Sequence, residues 1–339
     1  MRKNALVQVE YESNILTNNP IGDPHKRTFP VYLPPDYKAK NTYPVLFNLS
    51  GWGGVGASIL GEKAPFAKSI TDLLDELIAK NPKYSCVVVF PDMSVQLGCS
   101  QYINSTATGN YMDYLCDELV PFIEKQFPVS TSFKLRGVFG HSSGGFGSMV
   151  TGMLRPEVFG HILSSAGDSH YIHLYPTLIP SFIKMVEKFG SVEKMVQNFL
   201  EKPNPLYDCP KEHGHSIMLL NICQCFIPNA KKPFGADLFF DIYTGELIDD
   251  VWKKFLAWDP VTMIDQYEDA IKKLQSFSLF AGAQDEYGIH LGHRQISKKL
   301  TQKKISHHFI EYEASHSGIY YKTIDHLKHI IDQMPINRA

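Results

Sequence analysis

Nothing in this 339-residue sequence supplies a strong charge of either sign: 33 Lys and Arg stand against 35 Asp and Glu, a formal net charge of -2. The basic field that draws a chain onto nucleic acid or anionic lipid is missing, and nucleic acid is not expected as a partner. No run approaches the roughly 18 apolar residues needed to span a bilayer, and LVPFI and CVVVF are short enough to be buried core, so no membrane insertion is expected. The opening MRKNALVQVEYES reaches Gln8, Glu10 and Glu12 before an apolar stretch of signal-peptide length can form. Six cysteines (Cys86, Cys99, Cys116, Cys209, Cys223 and Cys225) are few for this length, and without a secretory signal they read as free thiols in a cytoplasmic protein. Internal repeats and low-complexity tracts are also lacking.

What is present is a composition that can bury a large core, with 44% hydrophobic and 12% aromatic residues. Short apolar or β-branched runs alternate with longer segments of helical period. Strands are predicted at Leu6 to Glu10, Thr28 to Leu33, Pro44 to Leu49, Cys86 to Phe90, Lys134 to Phe139, His161 to Ser165, Phe277 to Ala281 and His308 to Tyr312. Helices are predicted near Phe66 to Ala79, Tyr111 to Gln126, Gly145 to Leu154, Gly292 to Thr301 and Lys322 to Gln333. This alternation predicts an α/β fold, a mostly parallel sheet with helices on both faces, whose reactive groups gather at the C-terminal ends of strands.

Residues 175–259 break the rhythm. They offer helices at Phe182 to Phe189 and Val192 to Leu200, then prolines and glycines, then ADLFFDIYTGELIDD. The stretch reads as a helical cap inserted between a first core part, 1–174, and a second, 260–339; it would lie over the site and shape the pocket. The aromatic content and the insertion leave room for an apolar cleft and a homodimer face.

The sharpest local signal is Gly140-His141-Ser142-Ser143-Gly144, a GxSxG segment after a predicted strand and at a helix start. A nucleophile elbow forces its serine into a turn costing about 1 to 3 kcal/mol, and flanking glycines let strand and helix approach without collision. Ser142 is the candidate nucleophile. Ser143, the first helical residue, offers a backbone N–H for a developing oxyanion. A serine hydroxyl needs a histidine base and an acid to orient it. Asp285, in the loop Gly282-Ala283-Gln284-Asp285-Glu286-Tyr287-Gly288 after a buried strand, is the candidate acid, with Glu286 in reserve. His316, in the small-residue loop before the last helix, is the candidate base. The order Ser, Asp, His is that of the α/β-hydrolase fold. The loop Ser50-Gly51-Trp52-Gly53-Gly54 follows an early strand, where the backbone N–H of Trp52 would be the second oxyanion donor.

Other residues carry weaker signals. Gly51, Gly53, His141, Asp168 and Tyr287 are substrate-pocket candidates. Asp168 follows a strand end, where it would contact substrate, fix the cap or merely cap a helix. Tyr102 and Asn104 either line the cleft or sit in a solvated loop. His290 and His293 form an H-x-x-H pair, and the cap holds Cys209, His213, His215, Cys223 and Cys225, but neither set matches a familiar zinc spacing and no metal is assigned. The chemistry needs no organic cofactor.

Several long segments are similar to the putative esterase family of α/β-hydrolases, which includes esterase D, enterochelin esterase and the mycolyltransferases. They are GDPHKRTFPVYLPPDY, YPVLFNLSGWGG, GCSQYINSTATGNYMDYLCDELVPFIEKQFPV, FGHSSGGFGSM, WDPV, GAQDEYG and SHSGIYY. The resemblance implies that Ser142, Asp285 and His316 form the family's triad, that SGW occupies the oxyanion segment, and that Asp285 rather than Glu286 is the acid. It departs at the insertion, which esterase D lacks. The expectation is a serine carboxylesterase acting on a small or medium ester or thioester. Acyl transfer from the same acyl-enzyme and a non-catalytic binding member of the fold are the alternatives.

Overall fold

The computed structural model describes residues 5–60 and 68–335. Eight strands form one sheet: β1 (Ala5–Glu12), β2 (Lys26–Leu33), β3 (Val45–Leu49), β4 (Val87–Val89), β5 (Arg136–His141), β6 (His161–Ser165), β7 (Ser276–Gly282) and β8 (His308–Tyr312). Their order across the sheet is β1-β2-β4-β3-β5-β6-β7-β8. β2 runs antiparallel to both β1 and β4, and every remaining pair is parallel. β3 to β7 are buried at every position, because helices cover both faces, and only β4 is apolar throughout; the others carry buried polar residues such as Asn48, Arg136, His161 and Ser278.

The helices that matter are α1 (Ile70–Lys80), α2 (Val120–Gln126), α3 (Ser143–Leu154), α4 (Ile179–Phe189), α5 (Val192–Leu200), α6 (Lys211–Phe226), α7 (Asp249–Leu256), α8 (Pro260–Gln266), α9 (Ile289–Gln302) and α10 (Thr323–Gln333). α1 and α10 pack together on one face; α3, α8 and α9 cover the other. Successive side chains of β6 divide the same way, Ile162 lying against Gly152 of α3 and His161 beside Gly137, which faces Ile330 of α10. Among the described residues, no helix is long and apolar enough to cross a membrane.

Two predicted helices differ from the observed ones. α1 begins at Ile70, where the Ser69 hydroxyl accepts the Asp72 N–H at 3.1 Å; Phe66, the predicted start, lies outside the described residues. The helix predicted from Tyr111 to Gln126 is interrupted by a π turn, Tyr114–Leu119, before α2. The Val120 N–H reaches five residues back to the Leu115 carbonyl, and Pro121 has no N–H to restore the ordinary spacing.

Between β6 and β7 the chain makes its long helical excursion, in which α6 packs on α4, α5 and α7. Phe226 at the end of α6 lies 5.3 Å from Phe146 of α3 between ring centroids and stacks on Tyr171 and Trp258, so an aromatic seam joins the excursion to the core. Asp259 of the WDPV segment closes it, accepting the backbone N–H groups of His170 at 3.0 Å, Tyr171 at 2.8 Å and Val261 at 3.0 Å.

Candidate active site

Three strands and the turns that leave them converge on one cleft. The β5–α3 turn places Ser142 at φ 56 and ψ -125, the strained geometry that an elbow imposes on its central residue. The turn is possible because backbone fills the space that side chains would need. A Cβ on Gly144 would lie 2.0 Å from the Leu49 carbonyl oxygen, and one on Gly140 would lie 2.4 Å from the Gly144 carbonyl carbon. Gly144→Ala is therefore expected to destabilise the fold by about 3 kcal/mol or more, read as a lower urea midpoint. An unchanged midpoint would contradict this packing.

His316 lies in the loop between β8 and α10. Its Nε2 is 3.1 Å from the Ser142 Oγ and its Nδ1 is 2.8 Å from Asp285 Oδ2. Asp285 is buried after β7, and its other oxygen accepts the Tyr287 N–H at 2.9 Å. Glu286 has a different position: its Oε2 accepts the His316 backbone N–H at 2.9 Å, which holds the loop rather than the ring. Ser142, His316 and Asp285, 174 and 31 positions apart in the chain, thus form one hydrogen-bonded line.

Asp168, a pocket candidate from the sequence, lines the cleft and also stands beside Ser142. It is buried, with Oδ1 3.4 Å from the Ser142 Oγ and Oδ2 accepting hydroxyls from Ser143 and Tyr175, each at 3.2 Å. Burial pushes its carboxyl above the ordinary value. Ser142 has a single hydroxyl proton, and the shorter contact gives it to His316 Nε2. His141 is buried beneath the site, its ring 4.7 Å from that of His316 and 4.2 Å from that of Tyr320; burial holds it well below the ordinary histidine value, hence neutral.

The cleft above this line has a volume of about 330 Å³ and is lined by Gly51, Trp52, His141, Ser142, Asp168, Tyr287 and His316 among others. Gly51 brings the loop after β3 beside Ser142, a Cβ on it lying 3.6 Å from Ser142 Cβ. The Ser143 N–H opens α3 and so has no carbonyl one turn earlier within the helix to receive it. Gly53, expected at the pocket, instead turns with φ +75 toward Leu206 and does not line the cleft.

Tyr102 and Asn104 are likewise not cleft residues. Tyr102 is fully buried and donates its hydroxyl to the Ser50 carbonyl, while Asn104 Oδ1 accepts the N–H groups of Met112 and Asp113 at 3.1 and 3.2 Å. Several neighbours escape sequence reading. Tyr175 bonds Asp168, Gln101 donates to the Ser143 hydroxyl at 3.0 Å, and Leu206, Lys211, His215 and Met218 of the excursion form the opposite wall.

The ligand-type residues of the excursion are dispersed. His213 Nε2 contacts the Met195 carbonyl at 2.8 Å, His215 Nε2 meets the Tyr287 hydroxyl at 3.2 Å, and Cys223 and Cys225 are buried on α6. Among the described residues, no three His, Cys, Asp or Glu side chains are grouped to hold a metal ion. His293 is buried against the Gly167 carbonyl at 3.2 Å, and burial lowers it to about 4; His326 is lowered to about 3 by the same cause.

Both histidines have folded values below the ordinary 6.5, so as pH falls from there the unfolded chain takes up protons that the folded chain refuses. Stability is expected to fall from pH 6.5 toward 4, by about 1.4 kcal/mol per pH unit for each residue, with His326→Gln flattening the slope in urea unfolding. Equal stability at pH 7 and pH 5 would contradict it.

Comparison with known proteins bears on the family and the fold. A family model described as "Putative esterase" matches residues 24–323. No curated protein matches the sequence. Among solved structures, an S-formylglutathione hydrolase from Agrobacterium tumefaciens is similar at 18% identity and a TM-score of 0.57, over 98% of this chain and 97% of that one. An S-formylglutathione hydrolase (FrmB) from Staphylococcus aureus gives 14% and 0.56 over 97% and 99%. A CE1 ferulic acid esterase from Anaeromyces mucronatus, in complex with ferulic acid, gives 14% and 0.55 over 98% and 93%. These likenesses carry the α/β-hydrolase fold.

Proposed function

The chain belongs to the putative esterase family, and on that premise we propose that it is a serine hydrolase cleaving a small or medium carboxylic ester or thioester through an acyl-enzyme on Ser142. The observation that carries this reading is the line Asp285–His316–Ser142, with contacts of 2.8 and 3.1 Å, ending on a serine held in a strained elbow. Asp285 accepts the Nδ1–H of His316 and so leaves Nε2 free to take the Ser142 proton as Oγ attacks the carbonyl carbon. The carbonyl electron pair moves onto oxygen, and the N–H groups of Trp52 and Ser143 stabilise it, each worth roughly 3 to 4 kcal/mol in the transition state. The imidazolium then protonates the departing alcohol or thiol. Water, deprotonated by the same nitrogen, attacks the acyl-enzyme and releases the acid with Ser142 restored.

Residues 175–259 act as the cap in this reading, since Leu206, Lys211, His215 and Met218 face the nucleophile across the cleft. The test is hydrolysis of short p-nitrophenyl esters by the purified protein, with and without added alcohol. Free acid as the acyl product supports a hydrolase, a new ester made from the added alcohol would assign a transferase, and binding without turnover would contradict both.

A further inference from the structure

The loop that offers the Trp52 N–H is tied at its start, where the buried Tyr102 hydroxyl donates to the Ser50 carbonyl. Gly51, Gly53 and Gly54 surround the residue, and the backbone contacts within the loop are Gly54 N–H to Gly51 O at 3.1 Å and the Ser50 hydroxyl to Gly54 O at 3.0 Å. The Trp52 side chain is anchored elsewhere. Its indole N–H donates to Asn221 Oδ1 at 3.0 Å, and its ring lies against Gly98, where a Cβ would sit 2.2 Å from Nε1. Asn221 is fully buried on α6 and 169 positions away in the chain; the same Oδ1 also accepts the Cys99 N–H at 2.9 Å.

The face of α6 that carries Asn221 also serves the rest of the site. Gly214, Met218 and Asn221 fall at i, i+4 and i+7, one stripe of a helix. His215 beside them meets the Tyr287 hydroxyl at 3.2 Å, and the Tyr287 ring packs edge-on against that of His316 at 4.9 Å. One helix of the inserted segment therefore touches both the loop at the oxyanion side and the neighbour of the base.

We propose that Asn221 is a positioning residue for the oxyanion loop: through the indole of Trp52 it sets where the Trp52 backbone N–H points, so the insertion contributes to transition-state stabilisation as well as covering the cleft. The proposal rests on the esterase reading above and on Trp52 as an oxyanion donor. Its energetic basis is that an oxyanion donor acts only when preorganised, and that a misplacement of about 1 Å is enough to lose a large factor in rate. Asn221 makes no contact with substrate in this scheme.

The experiment uses the full-length enzyme with two single variants and their combination. Trp52→Phe keeps a ring against Gly98 and removes the indole donor, while leaving the Cys99 N–H to satisfy the buried amide. Asn221→Leu removes the acceptor at similar volume. Each is expected to lower kcat for a short ester by about 10- to 100-fold with KM within about threefold, and to weaken an alkylboronic acid, whose serine adduct is tetrahedral, by the same factor. The double variant should lose no more than Asn221→Leu alone, because both break the Trp52–Asn221 bond and Asn221→Leu also removes the acceptor of the Cys99 N–H. Should Asn221→Leu fail to fold, Trp52→Phe alone decides. Unchanged kcat and boronate affinity in Trp52→Phe, or a rise in KM that accounts for the loss, would overturn the proposal. Wild-type protein that turns over no ester would instead sink the esterase reading beneath it.

Discussion

Ser142→Ala is expected to lower kcat for ester hydrolysis by about 10⁶-fold, with the fold retained. The size of the loss follows from the surroundings of the serine. The neighbouring hydroxyl of Ser143 cannot take over, because it accepts from Gln101 at 3.0 Å and donates to Asp168 at 3.2 Å inside the buried start of α3. Among the described residues Ser142 is the hydroxyl bonded to His316 Nε2, and the alanine that would replace it has no proton to give. What survives is the modest catalysis of oriented amides acting on bound substrate and water. Steady-state hydrolysis of short p-nitrophenyl esters measures it; activity above a few per cent of the wild type would mean that the acyl group is carried elsewhere.

Asp285→Asn has the next largest expected effect, a loss of about 10⁴-fold in kcat. The carboxylate accepts from Nδ1 at 2.8 Å, which obliges the neutral ring to carry its proton there and present a lone pair at Nε2. An asparagine can donate to Nδ1 instead, and the ring then holds its proton on the side facing Ser142, where it cannot act as a base. Neither nearby carboxylate replaces the missing one: Glu286 is engaged with the His316 backbone N–H at 2.9 Å, and Asp168 is turned to the hydroxyls of Ser142, Ser143 and Tyr175. Glu286→Gln, which keeps an oxygen for that N–H, should cost much less. Comparable losses in the two variants would contradict the assignment of Asp285.

Why some of this molecule is legible in its sequence and some is not has physical reasons. Buried parallel strands announce themselves as short, mainly apolar runs, and the elbow glycines at 140 and 144 are forced by backbone contact, so strand, turn and helix around Ser142 can be read in order. The loops bearing Asp285 and His316 follow from the same rule, that reactive groups stand at strand ends.

Helix α6 is different. From Ser216 to Phe226 it is buried on nearly every side except Met218, so it lacks the one-sided apolar stripe that marks a surface helix; the polar residues at its start and two cysteines near its end give no periodic signal. Asn221 and Tyr175 matter through partners 169 and 7 positions away, Trp52 and Asp168, and pairings of that kind depend on the packing of the inserted helices rather than on local pattern. Asp168 is legible as a pocket candidate after a strand, while its closeness to Ser142 follows a turn that holds Ala166 at φ 43.

The most direct test of the account is covalent labelling of the full-length wild-type protein with a fluorophosphonate, followed by peptide mapping. A single phosphonylated residue, Ser142, is expected, with loss of that adduct when His316 is replaced by alanine. An adduct on another serine, or undiminished ester hydrolysis by protein whose Ser142 carries no label, would contradict it.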